Sequence, residues 1–128
     1  MADGKFEVHI DRTPDDVWAA IGDFGGIASW MPGIDSCTVE DDVRTLQTMG
    51  MELQEKLMGH DDATRTTSYS LIKGPMPIEH HLATISVEPD GDGSKLTWAY
   101  EVKPDEMGAA FGPVYEGSVK AVKEQLEG

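Results

Sequence analysis

The chain has 128 residues, enough to enclose one apolar core or a cavity without disulfide staples. Its 39% hydrophobic and 27% charged content, with three each of Trp, Tyr and Phe, is that of a soluble globular protein and argues against disorder. The formal charge of −14, from 24 acidic and 10 basic side chains, repels phosphate backbones and anionic lipid surfaces, so no nucleic-acid partner is expected.

The acidic residues fall in turns and on strand exteriors (Asp15-Asp16, Asp41-Asp42, Asp61-Asp62), which reads as solvation. Cys37 is the only cysteine, so no intrachain disulfide forms, and its alternating context predicts a small buried side chain. The N-terminus has neither the basic start nor the apolar run of a signal peptide, and no stretch approaches a membrane span. The expectation is a cytoplasmic, soluble protein with no membrane insertion.

In chain order, Phe6, Val8 and Ile10 alternate with Glu7, His9 and Asp11, the pattern of a strand with one wet face. A helix follows, with Thr13 as N-cap, Pro14 at the first position, Asp15-Asp16 at the positive end and Val17, Trp18 and Ile21 as the apolar stripe. Gly22 and Gly25-Gly26 end it, and a short segment from Ile27 to Met31 closes at Pro32-Gly33. Strands are then predicted at about 35–40, 43–49, 51–59, 65–72, 78–88 and 95–102, joined by short turns that favour antiparallel neighbours. Residues 106–127 read as a helix presenting Phe111, Val114, Tyr115, Ser118, Ala121, Val122 and Leu126, its start bent or delayed by Pro113. A strand, two short helices, a run of antiparallel strands and a long amphipathic helix make an α+β chain whose curved sheet must grip that last helix.

This order, with "VHIDRTPDDVWAAIGDF" (8–24), "IASWMPGI" (27–34), "LQEKLMGHD" (53–61), "SYSL" (68–71) and "VEPDGDGSKLTWAYEV" (87–102), resembles the START-related helix-grip (SRPBCC) superfamily, the birch pollen allergen-like fold, in its polyketide cyclase/dehydrase branch. The resemblance spans nearly the whole chain. It implies one ligand-binding domain over residues 1–128, with a seven-stranded curved antiparallel sheet wrapped around the long C-terminal helix and two short helices between strands 1 and 2. It also implies an apolar cavity between sheet and helix for a hydrophobic ligand such as a lipid or polyketide. The chain is short for that superfamily, with tight loops and no extended gate loop, which leaves room for a reduced cavity.

Strand parity follows from the apolar residues. Leu96, Trp98, Tyr100 and Val102 share the inward face of the last strand. In "IEHHLATISV" (78–87), His81, Ala83, Ile85 and Val87 face in, which leaves His80 outside. The same method turns Thr67, Tyr69 and Leu71 inward, and Leu53, Glu55 and Leu57 on the strand before. A turn centred near Pro75 sets Tyr69 opposite His81, and one near Asp61-Asp62 sets Glu55 beside Thr67 or Tyr69.

Glu55, Tyr69 and His81 thus form a polar row in which each satisfies the others, against a cost of several kcal/mol for unpaired burial. Two roles fit it. As an acid–base set, His81 moves a proton, Tyr69 donates to an oxyanion and Glu55 orients the pair, making these three the catalytic candidates. As a hydrogen-bonded cluster, they fix register or hold a ligand's polar end.

The expected ligand-lining set is Trp30, Met31, Leu53, Glu55, Tyr69, Leu71, His81, Ala83, Ile85, Trp98, Tyr100, Phe111 and Tyr115. Within it, Trp30 and Met31 act as a ligand lid or as core closure, the latter favoured. Met49, Met51, Met76 and Met107 line an adaptable pocket or fill gaps. His9 and His60 read as surface residues, and four scattered histidines give no metal-site spacing. No cofactor is called for, and no oligomeric state is specified. The leading function is binding, transport or sequestration of a small hydrophobic ligand. The alternatives are a polyketide cyclase- or dehydratase-like enzyme using His81, Tyr69 and Glu55, and an interaction module with a filled core.

Overall fold

The alternation at Phe6, Val8 and Ile10 extends back to Ala2 in the computed structural model, which describes residues Met1–Gly128, so the first strand, β1, runs Ala2–Ile10. The helix α1 (Pro14–Ile21) starts where the sequence signals place it, with the Thr13 hydroxyl accepting the Asp16 backbone N–H at 3.2 Å. Val17 and Ile21 are its buried residues. The second short helix is 3₁₀, spans Phe24–Ser29 rather than beginning at Ile27, and is capped by the Asp23 carboxylate.

Six further strands follow: β2 (Ile34–Glu40), β3 (Val43–Thr48), β4 (Met51–Asp61), β5 (Thr66–Lys73), β6 (His80–Asp90) and β7 (Gly93–Lys103). Successive strands pair antiparallel, and β1 closes onto β7 to give the order β1-β7-β6-β5-β4-β3-β2. The β3–β4 connection is a two-residue turn in which Met49 and Gly50 both have positive φ, 50° and 74°, the geometry that matches strand twist. It fixes the β3–β4 register and leaves the Met49 side chain 76% exposed.

The C-terminal helix α2 (Gly108–Glu127) follows a 3₁₀ turn at Asp105–Met107 and lies in the grip of the curved sheet. Pro113 falls inside it, so the exposed Ala109 carbonyl lacks its intrahelical donor. The buried face is Gly112, Tyr115, Ser118, Val119 and Val122, whereas Phe111, Ala121 and Leu126 of the expected stripe are half-buried. Val119 is buried, and Val114 is 45% exposed. Gly112 accounts for the close seating of α2: a Cβ there would lie 3.1 Å from the Tyr100 hydroxyl.

Candidate ligand cavity

The inward parities are those the alternation predicts. Leu96, Trp98, Tyr100 and Val102 on β7, His81, Ala83, Ile85 and Val87 on β6, and Thr67, Tyr69 and Leu71 on β5 are all buried. Cys37, on the edge strand β2, is half-buried rather than buried. On β4 only Glu55 is fully buried, with Leu53 and Leu57 half-buried beside it.

The middle of the grip is filled with aromatic rings. Tyr115 of α2 stacks on Trp98 with centroids 5.4 Å apart, meets Tyr100 at 5.2 Å and lies beside Phe111 at 6.0 Å. Trp30 closes the far end against Trp98 at 5.9 Å. Its ring is buried, which is the core-closure role.

His81 lies within this packing, 2% exposed, with its ring 5.1 Å from that of Phe111. The Leu71 backbone N–H donates to Nδ1 at 2.9 Å, and Nε2 lies 2.7 Å from the Tyr115 hydroxyl. A backbone N–H can only donate, so Nδ1 is unprotonated and the neutral ring carries its hydrogen on Nε2, directed at Tyr115. Burial, with a smaller contribution from His80, pushes the His81 pKa down to about 4. Burial first, and then the negative charge of Glu55, raises the Tyr69 phenol.

The polar row forms differently from the expectation. Tyr69 pairs with Ala83, not His81, because the β5–β6 connection is centred one residue beyond Pro75. Glu55 lies opposite Leu71 rather than Thr67 or Tyr69, because β4 bulges on both sides of it. Its partner is Arg44, directly across on β3 and 4% exposed. Arg44 Nε donates to Glu55 Oε1 at 2.8 Å, and Nη2 approaches the same oxygen at 2.7 Å. Nη1 donates to the Phe24 carbonyl at 2.9 Å, and the guanidinium packs between the Phe24 and Tyr69 rings, 4.4 and 4.7 Å from their centroids. Burial raises the Glu55 carboxyl above its ordinary value, and the Arg44 charge and hydrogen bond offset only part of that rise.

Between this ion pair and α2 lies a cavity of about 330 Å³. Its walls are Leu46, Leu53, Glu55 and Tyr69 from the sheet, Ala110, Phe111, Val114 and Tyr115 from α2, and Ile27 and Met31 from the short-helix region. Pro32, Gly33, Ile34, Thr48, Met49, Met51 and Met76 complete the lining. Of the expected lining set, Met31, Leu53, Glu55, Tyr69, Phe111 and Tyr115 reach the cavity. Trp30, His81, Ala83, Ile85, Trp98 and Tyr100 lie in the packed core behind it, because the aromatic cluster fills that half of the grip, and Leu71 is buried outside the cavity beside Ile72 and Ile78. The remaining histidines are on the surface: His80 binds Glu101, His9 binds Asp90 and Asp11, and His60 binds Asp62 and stacks on Trp18.

A seven-stranded antiparallel sheet gripping a C-terminal helix over a partly open apolar cavity defines a helix-grip protein. The chain belongs to the polyketide cyclase / dehydrase and lipid transport family, which matches over residues 1–127. It is similar to the protein XoxI from Bacillus cereus, at 28% identity over 98% of this chain and 96% of that one, with a TM-score of 0.92. A Bacillus thuringiensis protein is 24% identical over 99% and 100% of the two chains, with a TM-score of 0.91. The di-domain ARO/CYC BexL from the BE-7585A biosynthetic pathway shares the fold at 14% identity, with a TM-score of 0.86 over 99% of this chain and 47% of that one. No curated protein matches the sequence. No helix is long and apolar enough to cross a membrane.

Proposed function

We propose that the chain acts as one ligand-binding domain that holds a compact apolar molecule between β3–β5 and α2. The observation that carries this reading is the cavity itself: about 330 Å³, lined mainly by apolar side chains, with few polar groups on its wall. That volume is at the small end of ligand pockets, which run from roughly 300 to 1,000 Å³, and suits one or two fused rings better than a two-chain lipid. Four methionines on its lining give it an adaptable surface. A filled-core interaction module draws no support from such a space. The acid–base alternative draws less support than binding, since His81 is behind the Tyr115 and Phe111 rings with both ring nitrogens engaged.

The test is native mass spectrometry of gently purified protein, followed by titration of the stripped protein with naphthalene. A co-purified apolar molecule or saturable naphthalene binding is expected. Ala110→Trp, an exposed position on the cavity rim, should weaken binding at least about tenfold by occupying the space. Absence of binding by wild type, or identical binding by the variant, would contradict the reading.

A further inference from the structure

Glu55 presents the cavity with one oxygen that the protein leaves unused. Both approaches of Arg44 converge on Oε1, and Oε2 receives no protein hydrogen bond although the residue is only 8% exposed. Oε2 is not fully enclosed by protein, and Glu55 is among the residues that line the cavity. Three other polar side chains, Thr48, Tyr69 and Tyr115, lie on the wall, and the Tyr69 hydroxyl is directed toward the Tyr115 and Trp98 side chains. The Thr48 hydroxyl donates to the Gly33 carbonyl at 2.7 Å, and the Tyr115 oxygen accepts from His81.

Resting on the binding reading above, we infer that the occupant of the cavity is a neutral apolar compound carrying a hydroxyl group, an alcohol or phenol whose O–H donates to Glu55 Oε2. A buried acceptor without a donor is costly, and a ligand that supplies the donor removes that cost. Arg44 already balances the charge of Glu55 and is itself locked by Phe24 and Tyr69, so the pair as a whole is neutral. A cationic amine would therefore leave a net charge in a mostly apolar space. A carboxylate would place a second anion against Glu55, with no free cation to receive it. Both are disfavoured relative to the hydroxyl compound, and so is a free fatty acid on the same ground.

The experiment compares naphthalene, 2-naphthol and 2-naphthoate, three ligands of one shape, by protein-detected NMR titration of the full chain at neutral pH. The expected ranking is 2-naphthol tightest, by about tenfold over naphthalene, the scale of one hydrogen bond to a charged acceptor. Binding of 2-naphthoate should be weaker than that of naphthalene. In Glu55→Gln, Arg44 retains the amide oxygen and turns the NH₂ toward the cavity, replacing the acceptor by a donor. The preference for 2-naphthol over naphthalene should then fall to about twofold or less, and 2-naphthoate should gain. Should that variant fail to fold, the Arg44→Met/Glu55→Gln pair removes the stranded cation, and the wild-type ranking remains decisive without it. Equal affinity for naphthalene and 2-naphthol, or tightest binding of 2-naphthoate, would overturn the inference while leaving the binding reading in place. No binding of any of the three would overturn both.

Discussion

The hydrogen bond from His81 Nε2 to the Tyr115 hydroxyl, 2.7 Å long, ties the inner face of β6 to the helix that the sheet grips. With the Leu71 N–H on its other nitrogen, His81 bridges three elements, β5, β6 and α2, through one ring. Its protonation state is therefore part of the architecture.

Acid should destabilise the protein through this residue. The pKa falls from 6.5 to about 4 on folding, so the unfolded chain binds a proton that the folded one refuses. Above pH 6.5 the residue costs nothing; the loss of stability grows as pH falls from 6.5 toward 4 and reaches about 3 kcal/mol below that. Urea denaturation of His81→Gln, whose amide can serve both partners, should show a shallower loss of stability across that window than wild type. Parallel curves would contradict it.

Tyr115→Phe should keep the ring packing while stranding the buried His81 Nε2–H. The expected cost is about 1–3 kcal/mol, seen as a lower denaturant midpoint with an unchanged slope. A change below about 0.5 kcal/mol would show that the hydrogen bond contributes nothing net.

Arg44 and Glu55 should behave as a coupled pair. Removing either alone, by Arg44→Met or Glu55→Leu, leaves an uncompensated buried charge and should cost about 3–5 kcal/mol. The double variant should cost less than the sum, and a double-mutant cycle reads the difference. Additive costs would mean that the two residues are stabilised independently.

Much of the fold was legible because alternation on β5, β6 and β7 is clean: Trp98, Ile85 and Tyr69 are flanked by Thr97, Ser86 and Ser68, and the inward set follows. The turn chemistry of Met49-Gly50 likewise gave the β3–β4 hairpin. That same turn puts Arg44 opposite Glu55, so the cation needed by a buried carboxylate was available from hairpin geometry.

The Tyr69–His81 pairing failed for a different reason. The segment from Gly74 to Glu79 is an open loop with no turn type to set its centre, and an error of one residue in the centre displaces the partner by two. The extent of the cavity was not legible either. It depends on how far Tyr115, Phe111 and Trp98 fill the grip together, a property of packing in three dimensions rather than of any one strand.

The most direct test is a ¹³C-methyl NMR spectrum of methionine-labelled protein with and without 2-naphthol. Met31, Met49, Met51 and Met76 line the cavity, whereas Met1 and Met58 are exposed away from it, 58% and 55% accessible. The account predicts saturable shifts for the cavity-lining methyls and none for Met1 and Met58. Shifts confined to Met1 and Met58, or no shifts at all, would contradict it.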